Sequence, residues 1–581
     1  MLFSAAHLCR PKLRIAVFDF SIERFTMARK CKESELQNLP ACAAEFIKLV
    51  IKKMRYRKKV RQDVQAELAA HFEDELRDCR TDEEKEQKAR RLIENFGDVK
   101  LLGVLLRRAK KRCRPLWRTV VARTFQTIGV LILCFISYSI YISLGKPTIS
   151  INYVEEATRL ARLVADESLN AAPIYQKAID AYKEPPLVGA EKRSLLDAIK
   201  DKDWVTELTE EELTLLKQCL SDNADAIEFF KQASEKPHCW WKREAKDNVV
   251  MAILLPELSN MRKLARLLSW RAKLQAFNGD TEQAFDDLLA CYRAGRHLKG
   301  PRLLVEQLVG IGIQAISTQN VLVILNNQEV DNQLLKNIQT RLEELMAEDT
   351  YTANYEVERF FALDFIQRCY TNNGRGSGHM IPSRVQELMS AFGDFYSSDV
   401  AFLGSLAASI ASADRQEISR EFEKIYSTAQ EWAYKTPWQL HEEGVDLDMG
   451  LVNWSTLKRA RCWPVYYLMP AIGAVNKTAH RHKTQVDALI TTLAIIRFKQ
   501  NTGNYPENLE GLVAAGYLKK IPLDPFSDQP LVYKRMADNF TLYSVGLNLI
   551  DDGGQVYRDK KGKPQLWHDE FGDAVFWPVQ K

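Results

Sequence analysis

The side chains best suited to acid–base or metal chemistry are thinly spread along this chain. His71 sits in AAHFEDE, two and three positions before Glu73 and Asp74. Such a set could move a proton or hold a metal, but those spacings are ordinary on any charged helix. HEEG at 441–444 supplies only one of the two histidines that a zinc-protease helix needs. NNGRGSG at 372–378 has the glycines of a phosphate loop but lacks the Lys-Ser/Thr ending and a preceding strand, so it reads as a surface loop. Trp240 and Trp241, followed by Lys242 and Arg243, suit a core edge as well as a ligand platform. The eleven cysteines form no CxxC pair and no Cys/His spacing fit for zinc. No catalytic constellation assembles from these residues, and the expectation is a protein that is not an enzyme.

The elements that carry them are set first by length and charge. At 581 residues the chain exceeds one compact core, and 46% hydrophobic with 27% charged residues describes folded material. The net charge of +5 conceals an asymmetry: residues 1–123 hold 30 Lys and Arg against 17 Asp and Glu, net +13, leaving 51 against 59, net −8, for the remainder.

That division falls at an apolar run. Thr124 to Leu144, TFQTIGVLILCFISYSIYISL, is free of charge over a length that matches one bilayer core. Arg107, Arg108, Lys110, Lys111, Arg112, Arg114, Arg118 and Arg123 precede it without an intervening acid, whereas Lys146, Glu155 and Glu156 follow. The positive-inside rule places the N-terminus in the cytoplasm, with Trp117 near the inner interface and Tyr138 and Tyr141 near the outer one. The run lies too far from the start and is too long for a cleaved signal peptide. Met27 opens MARKCKESELQ and reads as an alternative start. By this topology Cys219, Cys239, Cys291, Cys369 and Cys462 lie outside the cytoplasm; their odd number allows at most two disulfides, and buried free thiols are the simpler reading.

Within the head, Val64, Leu68, Phe72 and Leu76 recur every four residues among acids, predicting an amphipathic helix over 61–78. A second helix opens on the capping box Thr81/Glu84, carries Ala89, Leu92, Ile93 and Phe96 on one stripe, and stops at Gly97 in a left-handed conformation. The basic run Lys52 to Lys59, KKMRYRKK, suits anionic lipid headgroups next to an anchor, and nucleic acid is not expected. Residues 61–106, with VQAELAAHFEDEL and ARRLIENFGDVKLL, resemble the small helical prefix domains that precede membrane segments in bacterial permease-like and stress-regulator proteins. That resemblance implies a cytoplasmic bundle docking on a partner or on the membrane surface.

From about Ile151 to His482 the pattern is helical almost throughout. Capping logic predicts helices from Thr209/Glu212 to about Asn223 and from Asp331 to about Met346. Leu264 to Leu298 reads as a helical hairpin turning at Gly279-Asp280, with Ala284, Leu288, Cys291 and Ala294 on one face, and it resembles a tetratricopeptide unit. Leu303 to Leu325 is a second apolar run, but Glu306, Gln307, Gln314, Gln319 and Asn320 are costly in lipid and read better as paired groups of a buried helix.

Beyond Gln485 come a helix, VDALITTLAIIRFKQNTG, a Pro-rich loop, alternating strands at 531–534 and 540–545, a turn at Asp551-Asp552-Gly553-Gly554, and FGDAVFWP. Gly503, Tyr505, Pro506, Leu509, Leu512, Gly516, Tyr517, Pro522, Asp524, Pro525, Tyr533, Ser544 and Gly546 carry a resemblance to the globular part of type II secretion major pseudopilins. That family begins with a cleaved, methylated apolar helix, and no such leader precedes Gln485. The family binds calcium in the loop after its second strand. The resemblance implies Ca²⁺ ligands at Asn548, Asp551 and Asp552, with Asp573 returning to the site, a hard-oxygen set of the kind Ca²⁺ prefers.

The expected architecture is therefore mainly α: a single-pass membrane protein with a small α+β C-terminal domain. Its parts are a basic segment (1–60), a cytoplasmic helical domain (61–118), the membrane helix (119–145), an extracytoplasmic helical domain (146–482) and the pseudopilin-like domain (483–581). The expected role is that of an inner-membrane envelope protein binding other envelope proteins as a scaffold. The alternatives are a transmembrane sensor signalling through its head, and an envelope hydrolase with dispersed catalytic residues.

Overall fold

The computed structural model describes residues 36–580 except 113–115, 190–191, 350, 391–397, 446–453 and 470; the readings on Met1 to Thr26 lie outside these. Helix accounts for 63% of the chain and strand for 6%, so the protein is mainly α. It divides into two compact units, Met1–Ile136 and Ser137–Lys581.

The first unit holds helices α1 (Ala41–Lys53), α2 (Lys58–Leu76), α3 (Asp82–Phe96) and α4 (Val99–Arg112). Val64, Leu68, Phe72 and Leu76 are buried along α2 as their spacing requires. Thr81 and Glu84 make both halves of the capping box on α3. Gly97 has positive φ, but at φ 72° and ψ −148° it leaves the helix in an extended rather than the expected left-handed helical conformation. The helical head also begins well before residue 61. Ala43, Phe46, Ile47 and Val50 on α1 form an i, i+3, i+4, i+7 stripe that enters the same core as Phe72 and Ala89. Lys52 to Lys59 thus spans the end of α1, the turn and the start of α2 rather than a single basic face. Gly103 lets α4 approach α1: a Cβ there would lie 3.3 Å from Met54 N and Val50 O.

Helix α5 (Leu116–Ser143) contains the charge-free run except for its last residue, Leu144. Over Val120–Ser143 most of its apolar side chains are exposed, Ile142 excepted, and only 6% of the most apolar window is buried. Val130, Leu131 and Leu133 are each more than half exposed.

In the second unit α6 (Glu210–Asp222) opens on the Thr209/Glu212 capping box. The hairpin α7 (Pro256–Phe277) and α8 (Thr281–Arg296) turns at Gly279, and Asp280 caps α8 by accepting the Gln283 N–H. Ala284, Leu288, Cys291 and Ala294 are buried, as expected of the inner face. Helix α9 (Leu304–Asn327) is the second apolar helix of membrane-spanning length among the described residues, but 67% of its apolar window is buried within the protein. Asp331 caps α10 (Asn332–Ala347) through the N–H groups of Gln333 and Leu334.

The 31-residue helix α11 (Ile472–Thr502) runs straight through the boundary expected at 482/483. Ile472 and Val475 belong to one apolar core, while Val486, Leu489, Leu493 and Ile495 belong to another that also contains Phe285, Leu322, Leu542 and Phe576. Helical body and C-terminal segment therefore share a core. The C-terminal sheet is antiparallel, β1 (Val532–Arg535), β2 (Phe540–Ser544) and β3 (Ala574–Trp577), in the order β1-β2-β3. Cys219, Cys239, Cys291, Cys369 and Cys462 are buried free thiols.

Candidate functional site

The C-terminal loop between β2 and β3 brings together all four residues of the expected calcium set. Asp573, at the start of β3, is only 1% exposed, and it accepts the Asp552 N–H at 3.1 Å and the Gly554 N–H at 2.6 Å. Asp552 Oδ2 accepts the Asn548 side-chain amide at 2.8 Å and the Gly572 N–H at 2.8 Å. Asp551 Oδ1 accepts the Tyr543 hydroxyl and the Gly553 N–H, each at 2.9 Å. Gly572, at φ 89°, passes so close that a Cβ would meet Tyr557 N at 2.8 Å.

Electrostatics and hydrogen bonding pull in opposite directions here. Burial raises the Asp573 carboxyl above its usual range; the two backbone N–H groups lower it, and the charges of Asp551 and Asp552 raise it again. In this arrangement the oxygens accept from peptide N–H groups, the Tyr543 hydroxyl and the Asn548 amide. Among the described residues no three His, Cys, Asp or Glu side chains are grouped closely enough to hold a metal ion. Capture of a cation would require Asp551 and Asp552 to exchange those donors for the ion.

The other sequence candidates separate. The His71 ring packs edge-on against Phe96, with centroids 5.6 Å apart, beside the head core. His441 lies 6.1 Å from the Trp438 ring on a one-turn helix. In the 372–378 loop Asn372 and Asn373 accept backbone N–H groups of their own turn, and Tyr370 bridges Met380 beneath it. Trp240 is buried and Trp241 stacks on Tyr175 at 6.1 Å, so the pair lines a core.

Two buried polar clusters were not singled out from the sequence. In the first, Arg243 pairs with both Glu257 and Glu306, all three nearly inaccessible, while Glu306 also accepts the Leu303 N–H at the start of α9. In the second, the Lys299 ammonium lies 2.7 Å from Asp349. Gln314 donates to Asp349 at 2.8 Å, Tyr292 to the same carboxylate at 3.4 Å, and the Tyr292 and Tyr351 hydroxyls meet at 2.8 Å. The His482 ring sits against both tyrosines, 6.1 and 5.9 Å away, with neither ring nitrogen hydrogen-bonded. Burial and the Lys299 charge hold His482 neutral. A cavity of about 10 Å³ beside Lys299, Tyr351 and His482 is scarcely large enough for one water, so this constellation is closed to substrate. The available signal was the polar set on α9: Glu306, Gln307 and Gln314 all find partners inside the protein.

No family model matches the chain. No curated protein and no solved structure matches it either. The residues themselves carry the functional reading.

Proposed function

We propose that the protein is a single-pass membrane protein of the cell envelope. In this reading α5 crosses the inner membrane, the basic head lies in the cytoplasm, and residues 146–581 lie outside and bind other envelope proteins as a scaffold. One observation carries it: of the two long apolar helices among the described residues, the one flanked by arginines exposes most of its side chains, while the other is two-thirds buried with Glu306, Gln307 and Gln314 paired inside the protein. The head has its own apolar core, from Leu39 to Ala89, which favours as second reading a sensor whose head reports to a cytoplasmic partner.

Reporter fusions test this. A fusion after Gly145 is active only outside the cytoplasm, and a fusion before Arg107 only inside. A fusion after Thr502 that reports the cytoplasm overturns the single crossing. Crosslinking the full chain in cells to a cytoplasmic partner through the head decides for the sensor.

The C-terminal loop is read as a calcium site of the extracytoplasmic part, held by Asn548, Asp551, Asp552 and Asp573. Its support is the arrival of Asp573 beside the other three, together with the resemblance to the major pseudopilins.

A further inference from the structure

Helix α4 is two-faced. Its inner face packs into the head through Val99, Leu102 and Leu106, with Gly103 against α1 and Lys110 pairing with Glu67 at 2.5 Å. Its outer face leaves Leu101, Val104 and Leu105 exposed at 60%, 43% and 50%. Positions 101, 104, 105 and 108 fall on one helical stripe, so the apolar patch runs into Arg108, and Arg107, Lys111 and Lys100 are exposed along its flank. No acid follows Asp98 on this helix, and Asp98 itself caps the N–H groups of Lys100 and Leu101.

What covers this face is indicated by the chain. Helix α4 ends at Arg112 and α5 begins at Leu116, so the helix that carries the apolar patch is joined by a short segment to the exposed apolar helix. An apolar stripe edged by cations matches the boundary between acyl chains and anionic headgroups: the leucines enter the hydrocarbon edge while the arginine and lysine stems reach back to phosphate. A protein partner would need its own acidic rim at the same depth.

We propose that the outer face of α4, through Leu101, Val104 and Leu105 with Arg107, Arg108 and Lys111, docks the head on the anionic inner surface of the bilayer. The inference rests on the reading of α5 as an anchor. Docking on the bilayer would fix the head against the membrane instead of leaving it hanging from a linker.

The test uses the full-length protein reconstituted in vesicles of phosphatidylcholine with or without phosphatidylglycerol. A photoreactive benzoylphenylalanine is placed at Leu105, at Val130 on the anchor, or at the exposed Tyr434 as a control. Illumination should give lipid-mass adducts at 105 and 130 but not at 434, and the yield at 105 should rise several-fold with phosphatidylglycerol. Lipid adducts at 130 but none at 105 overturn the docking and leave the anchor standing. Protein–protein adducts at 105 assign the face to a second copy and also overturn it. Absence of adducts at both 105 and 130 overturns the anchor itself. A second variant, Arg107→Gln/Arg108→Gln/Lys111→Gln, leaves the apolar stripe intact and should abolish only the phosphatidylglycerol dependence at 105; dependence retained in that variant removes the electrostatic half of the proposal.

Discussion

Gly295 and Gly310 face one another where α8 and α9 cross, and a Cβ built on either would lie 2.5 Å from the other's carbonyl oxygen. The two backbones touch there, which is how Ser317 on α9 comes to donate to the Leu288 carbonyl of α8 at 2.6 Å. The polar groups of α9 are partnered partly through this close approach.

Alanine at either position should therefore destabilise the protein by about 1–3 kcal/mol through overpacking. This runs against helix propensity, which favours Ala over Gly by about 1 kcal/mol in a helix interior. Gly312→Ala on the same helix meets nothing within 4 Å and should be neutral or stabilising. Denaturant unfolding of the three variants checks the contrast; equal effects at 310 and 312 would mean the helices do not cross at this distance.

The Lys299–Asp349 pair is buried on both sides, at 6% and 1% side-chain exposure. Asp349→Asn or Lys299→Met alone leaves an uncompensated group and should cost about 3–5 kcal/mol, whereas Lys299→Met with Asp349→Leu should recover much of that loss. Additive losses in a double-mutant cycle would show that the two groups do not act as a pair.

Acid should weaken the second unit before ordinary carboxylate titration begins. Burial lowers His297 to about 3 and His480 to about 4, and burial with the Lys299 charge holds His482 well below its ordinary value. Each ring is neutral in the folded state, while the unfolded chain takes up protons near pH 6.5. The unfolded state then binds more protons, so stability is fully present above about pH 6.5 and falls as the pH drops through the window below it, by about 1.4 kcal/mol per pH unit for each ring. Chemical denaturation at about pH 7.5 and about pH 5 measures this. His297→Gln, in place of a ring bonded to Tyr175 and the Lys236 carbonyl, should reduce the slope, and an unchanged slope would assign the acid sensitivity elsewhere.

Calcium is tested at the loop that gathers Asp551, Asp552 and Asp573. An ion bound only by the folded state stabilises it by about 2.7 kcal/mol at a hundredfold excess over its Kd. Millimolar calcium should raise the Tm relative to chelator, and Asp551→Ala with Asp552→Ala should abolish the difference. Identical melting of the wild type in both would leave a loop held by its own peptide and side-chain donors, without an ion.

Local features were legible in the sequence, and distant partnerships were not. Thr81/Glu84, Thr209/Glu212 and Asp331 cap helices where their spacing predicts, because a cap is decided within four residues. The α7–α8 hairpin and its buried face were readable for the same reason. Arg243 with Glu306 and Lys299 with Asp349 were not, since each pairing spans 50 residues or more and depends on tertiary packing. The stripe Ala43, Phe46, Ile47, Val50 was masked by the basic residues beside it. A boundary at 482/483 followed from the change of composition there, whereas helix continuity depends on the backbone, which nothing between Ile472 and Thr502 interrupts.

That unbroken helix has a mechanical consequence. At about 1.5 Å per residue α11 is a rod of roughly 46 Å, with one end, at Ile472, in the core that holds Ile425, Tyr426 and Val465, and its later turns in the core that holds the β2 and β3 side chains. A tug on the C-terminal sheet is borne along the rod by the far end of the helical body, and there is no soft joint in α11 to absorb it. Sheet and body should yield to force as one piece.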